Sequence, residues 1–420
     1  METQELGIYI HIPFCVRKCL YCDFLSFPAG EEEKKLYVQA LLKEVDAACD
    51  KFGFLPEQYE PRTIYFGGGT PSILDEVYIN EILCKLYDRF RIDPSSLEIT
   101  LEANPGTVNA EKLAAYQRAG VNRLSIGLQS ADEGLLRILG RIHTFEDFKR
   151  SYESAREAGF QNINVDIMTA LPGQSRALLE DTLCKLIEFS PDHISAYSLI
   201  LEKGTPFYVT YHPDDAVSPG RIISDPERIP AGSLNEDHSE KTAKSRLASP
   251  KALPDEEAER AQYYMVRDHL KQAGYERYEI SNFARKGFES RHNTACWKRI
   301  PYLGLGLGAS GFLNEIRFQN TIDLKTYLQN SHCQASLAEK RPLARYEQIE
   351  ETMFLGLRMQ EGVSKAAFKK TFGASVESFY EKELIRLKKD GLILDNDERI
   401  CLTDRGIDYG NYVFSRFLFE

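Results

Sequence analysis

The sequence predicts an α/β protein, a (β/α)6 partial TIM barrel followed by a small α+β domain of winged-helix character. Three observations predict it. From residue 8 to about residue 200, six β-rich runs alternate with amphipathic helical stretches, the pattern of parallel strands joined by right-handed crossovers. The runs are dominated by apolar residues instead of alternating strictly, as expected of strands covered on both faces. In the last eighty residues the alternation stops, and three helical segments lead into a short hairpin.

Taken in order, strands are expected at 8–12, 63–66, 97–101, 123–128, 162–168 and 193–199, with helices at 31–52, 75–90, 110–119, 144–158 and 177–189. Six units suit an open barrel better than a closed one of eight strands. Polar or glycine-rich punctuation follows the strands: Gly67-Gly68-Gly69-Thr70-Pro71 after the second, Glu102-Ala103-Asn104-Pro105-Gly106 at the third, Gln129-Ser130 at the fourth, and Leu171-Pro172-Gly173 after the fifth. Ligands of such folds bind at the carboxyl ends of the strands, so these stretches are expected at one mouth. From 212 to 253 the composition turns to Pro, Ser, Asp, Glu and Lys without a usable period, which reads as a flexible linker or insertion. Helical pattern resumes at Asp255-Glu256-Glu257 and runs to Gln272. The expected organisation is therefore a barrel at 1–211, the insertion at 212–253, a continuation at 254–340 and a C-terminal domain at 341–420.

Bulk properties narrow the function. The 420 residues carry a formal net charge of −11, which argues against general nucleic-acid binding. A winged-helix arrangement often binds DNA, but from Ser364 onward ten Lys or Arg face ten Asp or Glu, so a packing or partner domain is the better reading. No apolar run is long enough to span a bilayer, and the start lacks the pattern of a signal or transit peptide, so a cytoplasmic location is expected. Peripheral membrane association stays open. Of nine cysteines six are dispersed, which argues against a disulfide framework.

The other three cysteines carry the chemistry. Cys15, Cys19 and Cys22 fall at C-x3-C-x2-C spacing in a loop that Pro13 opens after the first strand. Thiolates suit iron–sulfur clusters and zinc. A four-iron cluster usually takes four cysteines, so three on one loop leave one iron open to an exogenous ligand. Zinc would want a fourth protein ligand; His11 is near, but no partner CxxC pair exists elsewhere. Three inert buried thiols would account poorly for this spacing.

C-x3-C-x2-C after the first strand, with GGGTP after the second, resembles the radical S-adenosylmethionine (SAM) superfamily. Within it, HIPFC, GGGTPS, EANPG, SIGLQS, D-x4-LPG, YEISNFA and HN-x3-W are similar to the branch of oxygen-independent coproporphyrinogen III oxidase and the HemW-type haem chaperones. The resemblance implies that Cys15, Cys19 and Cys22 bind three irons of a [4Fe–4S] cluster while exchangeable SAM chelates the fourth. It implies that Gly68, Gly69 and Thr70 form the SAM-contacting turn, where missing Cβ atoms admit close backbone approach. Tyr9 matches a SAM-contacting tyrosine, though it fits an ordinary barrel tyrosine equally well. Glu102 and Gln129 match residues that contact SAM's polar groups and ribose. Arg141 matches an arginine that pairs with a carboxylate; a solvated helix residue is its alternative. Asp166, mid-strand among apolar neighbours, calls for a functional partner.

Two departures bear on the branch. Phe24 stands where the oxidase carries a fourth cysteine, and only fourteen residues precede Cys15 where the oxidase has a long extension. Both favour the chaperone, which would carry haem to acceptor proteins, with a reductant protein needed if SAM is cleaved. Whether the chain is an enzyme stays open, and no catalytic residue is assigned; the alternative is anaerobic decarboxylation of coproporphyrinogen III to protoporphyrinogen IX. In HN-x3-W, the resemblance makes His292 the candidate axial haem ligand, against the alternative of a satisfied structural histidine; Cys296 replaces the family's usual tyrosine before Trp297, as a second candidate ligand through its thiolate or as a weakening of the family's contact. Gly304-Leu-Gly306-Leu-Gly308 is GxGxG outside a leading βαβ unit, so it reads as a tight packing turn.

Overall fold

The computed structural model describes residues 3–212 and 251–419. Six parallel strands pair in chain order: β1 (Gln4–Ile12), β2 (Tyr59–Gly68), β3 (Glu98–Ala103), β4 (Arg123–Gln129), β5 (Asn162–Thr169) and β6 (His193–Ser198). Helices α1 (Glu31–Phe52), α2 (Glu76–Phe90), α3 (Ala110–Ala119), α4 (Glu133–Ile138), α5 (Phe145–Glu157) and α6 (Arg176–Glu188) connect them. Local chemistry starts most of these helices. Asp75, Asn109, Asp132 and Ser175 each accept a backbone N–H of the first turn, and Thr144 with Asp147 forms a capping box. Ile8, Ile10, Ile64, Ile99, Leu124, Val165 and Ile194 are fully buried and pack with helix residues such as Leu41, Val45, Leu83 and Leu183, so the main core lies between the sheet and its helices.

The sheet does not stop at six strands. On the outer edge of β6 lie β7 (Glu276–Arg277) and β8 (Asn282–Ala284), with β8 antiparallel to β6. On the far edge of β1 lie β9 (Tyr302–Leu305), β10 (Ser310–Leu313), β11 (Ile316–Asn320) and β12 (Leu337–Pro342), giving twelve strands in one sheet. These were not expected. They are two to six residues long, and β9 and β10 are interrupted by glycine, so they carry no usable period. The GxGxG segment is a packing device as expected. A Cβ on Gly304 would lie 1.9 Å from the Ser310 carbonyl oxygen, so only glycine lets β9 and β10 approach.

Between β6 and β7 run α7 (Pro206–Tyr211) and α8 (Glu256–Gln272), while α9 (Arg291–Trp297) precedes β9 and α10 (Leu324–Asn330) lies between β11 and β12. Most of the stretch read as an insertion, 213–250, lies outside the described residues. From Arg345 the chain builds a second core: α11 (Arg345–Gly356), α12 (Lys365–Phe372) and α13 (Glu377–Lys389) pack on a small antiparallel sheet of β13 (Val363–Ser364), β15 (Arg399–Leu402) and β14 (Ile393–Asp395). This is the expected helices-plus-ribbon unit, extended by two short helices, α14 (Asp404–Asp408) and α15 (Gly410–Ser415). Ion pairs from Glu351 to Arg299 and Arg317, and from Arg358 to Glu279, join it to the larger sheet. No helix among the described residues is long and apolar enough to cross a membrane.

Candidate cofactor site

The cysteine loop is fastened at both ends. Cys15 N–H donates to the Phe27 carbonyl, Phe27 N–H donates to the Pro13 carbonyl, and the rings of Phe14 and Phe27 meet edge-on. Its middle is pinned by Leu20, whose N–H donates to the Leu139 carbonyl and whose carbonyl accepts from Phe207 N–H. Leu20 and Tyr21 thereby join a satellite apolar cluster with Leu135, Leu139 and Phe207. With Leu20 and Tyr21 turned in, the loop leaves Cys15, Cys19 and Cys22 half-buried and free of disulfides, on the wall of a cavity of about 490 Å³ at the carboxyl ends of the strands. Burial pushes the Cys22 thiol up to about 11, so a metal ion is what would drive its proton off. Arg141 donates from Nη1 to Cys19 Sγ at 3.7 Å, which ties the guanidinium to the cysteine wall.

Gly68, Gly69, Thr70, Glu102, Gln129, Arg141 and Asp166 line the same cavity. The structure thus brings together, with the three cysteines, all the expected site residues except Tyr9 and His292. A Cβ on Gly69 would fall 2.6 Å from the Phe14 carbonyl oxygen, and one on Gly68, which has φ of +115°, would fall 2.5 Å from the His11 ring. The glycines are therefore required by the packing of β2 against the loop as well as by any ligand. Thr70 Oγ1 accepts from Asn104 Nδ2 at 2.7 Å and lies 3.5 Å from Cys15 Sγ. Arg141 donates to Asn104 Oδ1 and the Gly127 carbonyl at 2.5 and 2.7 Å, so it is a half-buried bracket between strand ends and not a solvated helix residue. Gln129 adopts φ of +66°, turning the end of β4.

Glu102 accepts from Tyr65 OH at 2.8 Å and from Gly68 N–H at 3.3 Å, and burial lifts its carboxyl to about 7. Asp166, also raised by burial, accepts from Ser125 Oγ at 3.0 Å and Asn164 Nδ2 at 2.8 Å. Its immediate neighbours along the strand, Val165 and Ile167, are apolar, but its partners share its face of the sheet, Asn164 two residues back on β5 and Ser125 on the adjacent β4. A carboxyl whose folded pKa is raised binds more protons folded than unfolded, so it lowers stability as pH rises from its unfolded value to its folded one. Stability of the ligand-free chain is therefore expected to fall between about pH 4.5 and pH 7, and Glu102→Gln to flatten part of that slope in urea midpoints. An unchanged slope would remove Glu102 as its source.

Tyr9 and His292 stand apart from the residues that line this cavity. Tyr9 does not line the cavity: its OH meets His11 Nδ1 at 3.0 Å, its ring stacks on Tyr65, and it supports the wall from behind. His292 is buried at 5% exposure in α9 (Arg291–Trp297); Nδ1 lies 2.8 Å from Thr63 Oγ1, the ring stacks on Tyr65, and burial lowers its pKa to about 4. It is packed as a satisfied core histidine, and its neighbour Asn293 reaches the cavity instead. The Cys296 thiol is likewise held up at about 11 by burial.

Sequence reasoning missed Tyr21, Tyr65, Arg123, Ser125, Asn164, Ser195 and Tyr197, all of which line the cavity. A signal existed: Arg123 and Ser125, Asn164 and Asp166, and Ser195 and Tyr197 are i, i+2 pairs, and alternate residues of a strand share a face. Polar residues at that spacing inside apolar strands mark the barrel interior.

Comparison with known proteins agrees with this geometry. Residues 9–185 match the Radical SAM superfamily and residues 343–409 match the HemN C-terminal domain. The heme chaperone HemW of Bacillus subtilis is 37% identical over 98% of this chain and 99% of its own, and that of Lactococcus lactis is 34% identical over 100% and 99%. The chain belongs to the HemW family. Among solved structures, coproporphyrinogen III oxidase (HemN) from Escherichia coli, a radical SAM enzyme, superposes with a TM-score of 0.77 over 99% of this chain and 90% of that one. At 21% identity this establishes a shared fold. Membership of the superfamily implies a [4Fe–4S] cluster and SAM, and the cavity of this HemW-family chain fits both. Three thiols stand on one wall with an arginine beside them, the backbone at Gly69 is bare, and two carboxylates face the space beyond. Among the described residues no three His, Cys, Asp or Glu side chains gather around one point as a single ion would need. A cluster asks for something else, one iron to each thiolate.

Proposed function

We propose that this HemW-family chain binds haem and passes it to acceptor proteins, holding a [4Fe–4S] cluster on Cys15, Cys19 and Cys22 with SAM beside it. The observation that carries this reading is the end-to-end likeness, across barrel and C-terminal domain, to proteins named heme chaperones. Phe24 supports it. The side chain at that position is 64% exposed on the cavity wall and offers no thiol.

When bound, the cluster supplies an electron to SAM. The chain's own residues bind and orient. Gly68 and Gly69 admit the methionyl group, and Arg141, clamped by Asn104 and Gly127, meets its carboxylate. Glu102 and Asp166, already preorganised by Tyr65, Gly68, Ser125 and Asn164, accept from ammonium and ribose hydroxyls, and Gln129 closes the side. If SAM is cleaved, a reductant protein supplies the electron. The unit beyond residue 341 is a packing or partner domain, and the chain works in the cytoplasm.

Anaerobic reconstitution followed by two assays tests the reading. Haem titration is expected to show saturable binding. Incubation with reductant, SAM and coproporphyrinogen III is expected to give no more protoporphyrinogen than a Cys15→Ala control. Product above that control would make the chain an oxidase instead.

A further inference from the structure

Arg123 opens β4 and is 1% exposed, the largest fully buried side chain of the described residues. A buried guanidinium presents five N–H donors and stays charged, so it normally sits on a carboxylate or on carbonyls. Among the described residues Arg123 has no such partner. No hydrogen bond or ion pair ties its side chain down, and Nε is without an acceptor. Glu102 and Asp166 feel its charge, yet both turn their oxygens to other donors, Tyr65 and Gly68 in one case, Ser125 and Asn164 in the other. The side chain lines the cavity that the cysteines line. Burying an unpaired charge is costly, and a site that tolerates it is organised for a ligand that brings the missing acceptors.

We propose that Arg123 is the anchor for a carboxylate arm of the carried ligand, binding one propionate of haem inside the barrel. The proposal rests on the haem-carrying reading above. Haem is a flat apolar ring with two carboxylates, and the cavity has matching parts. Its wall ends in Phe24 and Ile200, exposed at 64 and 66%, while its interior holds the unpartnered cation. SAM also carries a carboxylate, but Arg141 beside Cys19 is placed for that one. Arg123 lies among Tyr65, Ser125, Asn164 and Asp166, residues of the barrel interior.

The test uses the full chain, reconstituted anaerobically, titrated with haem and with haem dimethyl ester, whose propionates are blocked. Wild type is expected to prefer haem by at least about tenfold, the scale of a buried charge-assisted pair. Arg123→Gln is expected to bind both as weakly as wild type binds the ester, with cluster absorbance and SAM affinity retained. Arg123→Lys, which keeps the charge but not the fork, should retain part of the preference. Removing an unpaired buried charge should not lower the melting temperature of the ligand-free chain. Equal affinity of wild type for both porphyrins, or an unchanged preference in Arg123→Gln, overturns the proposal. So does a fall in SAM affinity in place of haem affinity, or an Arg123→Gln chain that melts well below wild type, which would make the residue structural. If wild type binds neither porphyrin, the haem-carrying reading falls and takes this proposal with it.

Discussion

Cys19→Ala is expected to abolish the broad visible absorbance of the reconstituted chain and to remove most of its iron. Three thiolates on one loop are the least that can hold a four-iron cluster whose fourth iron is left to SAM, so none is spare. Cys19 is also the thiol beside the Arg141 guanidinium, and no other cysteine of the loop is placed to take over that position. The fold should survive the change. Cys19 is half-buried on the loop, and the loop's anchors are backbone hydrogen bonds and the packing of Leu20 and Tyr21. The unfolding free energy is therefore expected to change by no more than about 0.5 kcal/mol in the ligand-free chain, the range of substitutions that remove no core contact. Iron analysis and absorbance after anaerobic reconstitution decide it; an intact four-iron cluster would show that the ligand set is misassigned.

Glu44→Ala is expected to be the most destabilising single change outside the cavity, by about 3–5 kcal/mol, because it strands a buried ammonium. Glu44 on α1 and Lys51 one pair of turns later are both fully buried and hydrogen-bonded to each other. Glu44 also accepts from Gly306 N–H at 2.8 Å, Tyr327 OH at 2.6 Å and Asn320 Nδ2 at 2.8 Å, while Lys51 donates to Asn320 Oδ1 at 2.9 Å and the Ser331 carbonyl at 3.0 Å. One ion pair thus fastens the first helix to the strands added beyond β1. With Glu44 removed, three donors and a charge lose their acceptor at once. Urea unfolding followed by circular dichroism measures the loss. The double variant Glu44→Met with Lys51→Met should recover much of it, since replacing both partners leaves no charge behind. A single variant that melts like wild type would mean the network contributes nothing net.

Much of this protein could be read from its residues in order. The six strands were legible because each is a continuous apolar run bounded by turn residues, and α1 and α3 were legible to the residue because amphipathic spacing and end signals agree. The cysteine loop and the glycine run were legible because their function depends on local spacing. Asp166 was flagged for lying charged among apolar neighbours, and Ser125 and Asn164 prove to be its partners. What was not legible is of another kind. Tyr9 and His292 were assigned by matching positions, and a position in a motif does not say which way a side chain leaves the strand or helix. The strands β7 to β12 escaped because segments of two to six residues have no period of their own and exist only through the edges they pair with.

The sequence by itself determined the partial barrel, the three thiols on one loop and the missing fourth at Phe24, since these follow from hydrophobic pattern and from ligand spacing within a few residues. Only the tertiary structure decided that Arg141 brackets the cysteine wall, that His292 is walled into the core and Tyr9 stands behind the cavity, and that an unpartnered Arg123 lines the barrel interior. Those facts depend on which side chains meet across strands tens of residues apart, and burial and hydrogen-bond satisfaction are properties of that meeting, not of any one stretch of chain.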